Sequence, residues 1–250
     1  MKKPALLAAL AFAASGTFAQ DVPALLKAAD RYRMSSDNMQ VDTLISVFNT
    51  DGSPDKERRY TVFAQAKHQS LVLMQSPAEK GQKVLMLGDD YWLLMSGSQR
   101  PLRITPMQKL LGDASTGDIA TMSWAEDYTG TVAGEDRCGE IEQACVHLSL
   151  NASRKGVTYQ RIELWLGKVK HEPIKADLYV QSDKLAKQAR FVMDKAAGSS
   201  SPPTMVTAML LRDQLTNKKE TQVRYLGRKE KSVPEAWLNP MFLARNPALE

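Results

Sequence analysis

The chain has 250 residues, 43% of them hydrophobic and 24% charged, with 33 Lys and Arg against 28 Asp and Glu. That length suits one large domain or two small ones. The formal charge of +5 is spread over mixed clusters, Lys56-Glu57-Arg58-Arg59 and Arg228-Lys229-Glu230-Lys231, whereas a nucleic-acid surface needs a sustained basic stripe, so that class is excluded.

The N-terminus reads as a secretory signal peptide over 1–19. Lys2 and Lys3 form a positive start, Pro4 to Ala14 is an apolar run, and Thr17-Phe18-Ala19 offers small residues for cleavage. The run is too short to span a bilayer, which takes about 20 residues. No Cys precedes Cys138, so the leader lacks the cysteine that lipid attachment needs. The expected mature chain is a soluble periplasmic monomer of 20–250, one domain, and losing the two leader lysines takes its charge from +5 to +3.

After the leader, Asp21 can cap a helix with Pro23 in its first turn. Val22, Leu25, Leu26 and Ala29 recur at helical spacing, and the helix is expected to end near Met34. The period then switches to two. Met39, Val41, Ile45 and Val47 share one strand face, and "NTDGSPDK" (49–56) is a turn. Tyr60, Val62 and Ala64 alternate on the next strand. Three short, strongly apolar strands follow at 71–74, 84–87 and 91–95. They are apolar on both faces, so both faces must be covered. Thr105-Pro106 predicts a short helix over 105–111 stopped by Gly112, and Asp118 starts another over 118–124.

Cys138 and Cys145 are the only cysteines and flank a polar insert at the tip of a hairpin. In an oxidising compartment this is a structural disulfide. Downstream, Ile162, Leu164 and Leu166, then Ile174, Ala176, Leu178 and Val180, then Ala189, Phe191 and Met193 alternate with polar residues. Strands near 205–211 and 223–225 complete the set. Ser232-Val-Pro-Glu235 is a capping-box pattern, and Trp237, Leu238, Met241 and Phe242 form a stripe able to dock on the sheet. About eleven strands joined by short turns predict an α+β fold. Its single curved antiparallel sheet is an unclosed half-barrel, with short helices as lid and plug over the concave face.

Catalytic chemistry is not legible. His68, His147 and His171 lie far apart and match no metal-ligand spacing. Ser53-Pro-Asp-Lys56 sits in a turn, without the helix that would aim its serine. "GDASTGD" (112–118) lacks the Lys-Ser/Thr of a phosphate loop. With no nucleophile, base and orienter together, the expectation is a protein that is not an enzyme and needs no metal or cofactor. The mature chain keeps eleven of twelve methionines. They read either as filler for irregular core gaps or as the adaptable lining of a pocket.

The run "SPAEKGQKVLMLGDDYWLLMSGSQRPLRITPMQKLLGDASTGDIATMSWAEDY", residues 76–128, resembles the outer-membrane lipoprotein-sorting proteins of the LolA-like superfamily. The resemblance rests on Pro77, Gly81, Asp89, Trp92, Arg103, Ile104, Gly117, Asp118 and Tyr128, and the order of strands extends it over 20–250. It implies an unclosed β-barrel whose lid covers an apolar cavity spacious enough for acyl chains. The implied activity is carriage of lipoprotein acyl chains or another lipid toward the outer membrane, between an inner-membrane transporter and an outer-membrane acceptor. Met86, Trp92, Leu94, Ile104, Leu110, Leu111, Met122 and Trp124 are the expected cavity and lid residues. Arg100 and Arg103 are candidates for anionic head groups, with solvated turn residues as the alternative that the turn context favours. The competing expectation is a periplasmic sensor or adaptor that works with an inner-membrane exporter or regulator and carries no cargo.

Overall fold

The computed structural model describes residues 21–120, 123–195, 201–214 and 220–245; the expected signal peptide over 1–19 lies outside the described residues. Helix α1 (Val22–Asp30) is followed by β1 (Met39–Phe48), β2 (Pro54–Gln65), β3 (Gln69–Met74), β4 (Lys83–Leu87), β5 (Asp90–Leu94) and β6 (Leu102–Ile104). A small hairpin, β7 (Lys109–Leu111) and β8 (Ala114–Ser115), leads into helix α2 (Thr116–Ala120). Seven strands complete the chain: β9 (Tyr128–Cys138), β10 (Gln143–Ala152), β11 (Arg161–Gly167), β12 (Pro173–Tyr179), β13 (Leu185–Met193), β14 (Val206–Asp213) and β15 (Glu220–Glu230). Two 3-10 turns, Glu235–Leu238 and Pro240–Arg245, follow β15.

Thirteen of the strands form one antiparallel sheet in the order β6-β5-β4-β3-β2-β1-β15-β14-β13-β12-β11-β10-β9. β1 pairs with β15, so the first and last strands join the two halves, and β6 and β9 are left as edges. The sheet is open but strongly curled. β5 and β11 stand nine strand spacings apart in that order, about 43 Å in a flat sheet. Even so, the Tyr91 hydroxyl donates to the carbonyl of Gly156, just before β11, at 3.4 Å. Arg154, on the same loop, bonds Asp89 and Asp127 at 2.6 Å each. Register shifts in six of the strand pairs supply curl, because a bulge bends its strand and adds local twist.

Alternation sends Val41, Ile45, Val62, Val72, Val84, Met86, Leu148, Leu164, Ala189 and Val223 into one continuous core on the concave side, where the apolar stripe of α1 also packs. The convex face of β2 to β5 carries a second core, Phe63, Leu71, Leu73, Leu85 and Leu94. The C-terminal turns cover it, with Leu243 fully buried, Trp237 edge-on to Phe63 at 6.1 Å, and Lys83 Nζ donating to the Leu243 carbonyl at 3.1 Å. This is why residues 71–95 are apolar on both faces.

The sequence expectations need correction in five places. The sheet has thirteen strands, where about eleven were expected. Residues 105–111 form no helix: after a turn at Pro106 the chain enters β7. The second helix begins at Thr116, earlier than Asp118, and Ser123 and Trp124, expected at its end, are not helical. Helix α1 stops at Asp30, short of Met34, and Asp21 makes no side-chain cap bond. The Ser232–Glu235 box caps nothing; Pro234 leads directly into a 3-10 turn.

The Cys138–Cys145 disulfide closes the β9–β10 hairpin with Cα atoms 6.1 Å apart, beneath Trp165. Replacing both cysteines with alanine removes a stabilisation of about 2–3 kcal/mol, which for a chain of this size lowers Tm by about 4–12 °C. A thermal melt of the double variant under non-reducing conditions checks this, and a reductant should bring the wild type to the same Tm.

Candidate functional site: the covered hollow

The segment from β7 to α2 crosses the concave face as a separate small layer, fastened to the sheet by side chains rather than by a strand ladder. At its tip, Gly112 has φ +56, and an added Cβ there would come within 2.5 Å of Thr221 and Val47 side-chain atoms. Close backbone approach at a left-handed position requires glycine. Lys109 pairs with Asp213 at 3.1 Å. The Asp113 amide donates to Thr221 Oγ1 at 2.8 Å, and the Asp213 amide donates to Asp113 at 3.3 Å.

The strongest fastening lies under α2. Ser115 precedes the helix and Asp118 reaches back to accept from the Ser115 amide and hydroxyl, both at 2.7 Å. The bond from the Ser115 amide is one half of a capping box. The same carboxylate accepts from the Tyr159 hydroxyl and from Lys187 Nζ on β13, each at 2.6 Å. Asp118 and Lys187 are essentially sealed, with side chains 2% and 3% exposed. Burial by itself would raise the Asp118 carboxyl. The Lys187 ammonium and the bonds from Lys187, Tyr159 and Ser115 outweigh it and hold the carboxyl below its ordinary 3.8. Tyr159, buried beside that carboxylate, is pushed well above 10.0. Helix α2 also presses so closely on β11's approach that a Cβ at Gly117 would overlap the Thr158 side chain.

The far end of this cover is pinned by α1. Asp30 accepts from the Trp124 amide, the Ala125 amide and the Ser123 hydroxyl, each at 2.9 Å. Burial raises the Asp30 carboxyl, against the lowering effect of Arg33 and these donors. Arg33 lies over the Trp124 ring at 4.1 Å, and Trp124 meets Phe191 edge-on at 5.5 Å.

Between this cover and β11 to β14 lies a cavity of about 50 Å³, room for a few water molecules. Its wall on the sheet side is apolar: Ile162, Leu178, Ala189, Phe191 and Met209. Arg33, Asp118, Ser123, Thr158 and Tyr159 supply polar groups, and Thr158 Oγ1 is buried there without a hydrogen-bond partner. The sequence led to a hollow wide enough for fatty tails. In this closed form the interior is nearly filled by side chains.

Trp124 is the one expected cavity residue that lines this cavity. Met86 is buried in the concave core, and Ile104, Leu110 and Leu111 are half-buried against it. Trp92 and Leu94 point to the convex side, into the core under the C-terminal turns, because on β5 Tyr91 and Leu93 take the inward positions. Met122 lies outside the described residues. Arg100 sits in an exposed turn closed on Ser98. Arg103 is exposed on the outer face, paired with Asp90 and 5.1 Å from the Trp92 ring centroid. The polar lining residues were missed. Ser115-x-x-Asp118 was the available signal for the helix start, whereas nothing local in sequence marks Lys187 or Tyr159 as its partners.

Among the described residues no cluster of metal-ligating side chains occurs. Ser115 and Lys187 are 3.2 Å apart, within reach for a serine–lysine nucleophile pair. Lys187 Nζ also donates to the Asp118 carboxylate at 2.6 Å, so this contact is part of the cover's fastening.

Comparison with known proteins agrees with this architecture. A LolA superfamily protein from Nitrosomonas europaea superposes with a TM-score of 0.75 at 27% identity, covering 86% of this chain and 96% of that one. A domain assigned to outer-membrane lipoprotein sorting from Vibrio parahaemolyticus matches with a TM-score of 0.65 at 17% identity, over 88% and 98% of the two chains. A DUF1329 family protein from Desulfovibrio piger gives 0.66 at 20%, over 87% and 97%. At these identities the last two establish likeness of fold. No curated protein sequence matches significantly. A family model described as "Uncharacterized protein" matches residues 66–245, and the chain belongs to that family, within the LolA-like superfamily.

Replacing Lys187 with Met leaves Asp118 as an unpaired buried carboxylate, a change that costs about 3–5 kcal/mol in a closed interior. Here the charge can escape to water by lifting the cover. Amide exchange should therefore accelerate over 109–120 while β10 to β12 stay protected; equal acceleration throughout would mean that the segment is not a separable layer. The sign with pH follows from the depressed Asp118 carboxyl. Its stabilisation is complete above the unfolded value of 3.8 and is lost as pH falls below it. Thermal melts from about pH 6 to pH 3 should show the wild type losing more stability below pH 3.8 than Asp118→Asn does.

Proposed function

We propose that this protein is a periplasmic carrier that shelters acyl chains of lipoproteins, or another lipid, between the concave face and the β7–β8–α2 cover. One observation carries the reading: the apolar concave wall is closed by a layer that side chains alone fasten, so it can lift without unravelling the sheet. The likeness to the Nitrosomonas LolA superfamily protein supports it, as does the Vibrio protein's assignment to outer-membrane lipoprotein sorting. Among the described residues no helix is long and apolar enough to cross a membrane. The proposed cavity and lid residues are Met86, Ile104, Leu110, Leu111, Met122 and Trp124, joined by the apolar wall of β11 to β14. The proposed partners are an inner-membrane donor and an outer-membrane acceptor, with no enzymatic step.

The cavity volume favours a second reading. Ligand pockets run from about 300 to 1,000 Å³, so the closed form, at about 50 Å³, holds no chain until the cover moves. A sensor or adaptor acting beside an inner-membrane exporter needs no such movement. Native mass spectrometry on protein purified without detergent separates the two. A carrier retains lipid-sized adducts that are lost when Ala189→Trp, on the sheet wall, fills the cavity. An adaptor runs as bare chain, and a photo-crosslinker at Leu110 then captures an inner-membrane protein and no lipoprotein.

A further inference from the structure

One polar atom of the cavity wall has no partner in the protein, and the cover sits on it. Among the described residues that line the cavity, Tyr159 donates to Asp118, Tyr128 to the Tyr159 carbonyl and Ser123 to Asp30. Asp118 is matched by Lys187, and Arg33 stands 3.8 Å from Asp30. Thr158 Oγ1 is the one side-chain polar atom among them that is buried without a hydrogen bond. Thr43 and Ser70 also carry buried hydroxyls without a partner, but neither lines the cavity. The Thr158 hydroxyl lies directly against Gly117 of α2, where an added Cβ would overlap Oγ1. The closed cover therefore holds this hydroxyl unsatisfied, a state that costs free energy until the group finds a partner.

Thr158 leads into β11, whose Ile162 pairs with Leu178 of β12, and Phe191 of β13 pairs with Met209 of β14. The apolar wall thus runs from beside Thr158 across β11 to β14, three strand spacings or about 14 Å. A hydroxyl at the start of such a wall stands where an acyl chain begins, at its carbonyl. The charges around it are already matched, so what the wall has left to offer is a neutral donor. That suits an uncharged acceptor better than a carboxylate or phosphate, which would be buried without a countercharge. Resting on the carrier reading above, we infer that Thr158 sets the ligand specificity of the hollow. Once α2 lifts, its hydroxyl donates to the carbonyl oxygen of an ester-linked acyl chain whose tail follows Ile162, Leu178 and Ala189. An alkyl ether of the same length fills the wall equally well but leaves the hydroxyl unpaired, and a buried group without its partner is what discriminates between such ligands.

The test titrates the intact protein, purified without detergent, with lauroylglycerol and with dodecylglycerol, its ether counterpart, below the concentrations at which either aggregates. The two amphiphiles share a glycerol head and a tail of the same length and differ by the carbonyl. The ester should bind the wild type about fivefold tighter than the ether. Thr158→Val and Thr158→Ala should bring that ratio to within about twofold, and Thr158→Ser, which keeps the hydroxyl, should preserve it. Valine retains the branched shape and alanine cannot crowd Gly117, so a loss common to both is the loss of the hydroxyl. A ratio that survives both replacements in folded protein, or that is absent from the wild type, overturns the inference while leaving the carrier reading intact. Equal weakening of both amphiphiles, with the ratio unchanged, overturns it as well and makes the hydroxyl a determinant of cover opening alone. Failure of both amphiphiles to bind the wild type removes the carrier reading and this inference together.

Discussion

The charges sealed beneath the cover govern how this molecule can behave. An ion pair in a dry interior gains from its partner and loses its hydration, and the two terms are of similar size. Asp118 and Lys187 therefore do not simply glue the cover down. Closed, they are matched, and Ser115 and Tyr159 also donate to the Asp118 carboxylate. Open, each regains water. The arrangement penalises half-open states, in which one charge is stripped of its partner but not yet solvated. A cover built this way tends to be shut or fully lifted, which is the discrete behaviour that a gate needs.

The remaining fastenings have different electrostatics. Asp30 and Asp113 are both pushed up by burial, opposite to Asp118. Acidification through the ordinary carboxylate range thus relieves desolvation at the two ends while Asp118, held below its ordinary value, keeps its charge. Mild acid leaves the closed form in place, and only pH below the unfolded value for Asp118 removes the central fastening. The cover is not a simple proton switch, so something other than a modest pH gradient has to lift it.

Much of the fold was legible because alternation is a strong signal wherever one face is buried. The strand faces Met39-Val41-Ile45-Val47, Tyr60-Val62-Ala64, Ile162-Leu164-Leu166, Ile174-Ala176-Leu178-Val180 and Ala189-Phe191-Met193 could be read from alternation, and a disulfide at Cys138–Cys145 followed from a hairpin in an oxidising compartment. The doubly covered strands were readable as an anomaly: residues 71–95 are apolar on both faces, and the only stripe able to cover the second was at the C-terminus. Assigning individual side chains there was harder. A strand apolar on both faces carries no alternation to say which way Trp92 and Leu94 point. The short segment 105–120 misled because Thr-Pro is a helix-start signal that local turn formation satisfies equally well. Its true structure depends on contacts with Thr221, Asp213 and Lys187, about seventy to a hundred residues downstream. The polar lining of the hollow was missed for the same reason, since Asp118, Tyr159 and Lys187 are distant in sequence and meet only in the fold.

The size of the closed cavity sharpens the choice between carrying and adapting. Each CH₂ moved from water to an apolar wall is worth about 0.8 kcal/mol, so a chain of a dozen carbons brings on the order of 10 kcal/mol before its ordering cost. Lifting the cover forfeits the apolar burial of Leu110, Leu111 and Ile119 and separates the central pair, whose attraction and lost hydration largely offset each other. The opposing terms are comparable, with the acyl chain ahead when it is long and behind when it is short. On the carrier reading proposed above, a cover poised in this way would open for long-chain cargo and stay closed against small apolar solutes. An adaptor has no use for that balance: its interior would serve best as a conventional core, without a sealed lysine and an unpaired Thr158 hydroxyl beside a void.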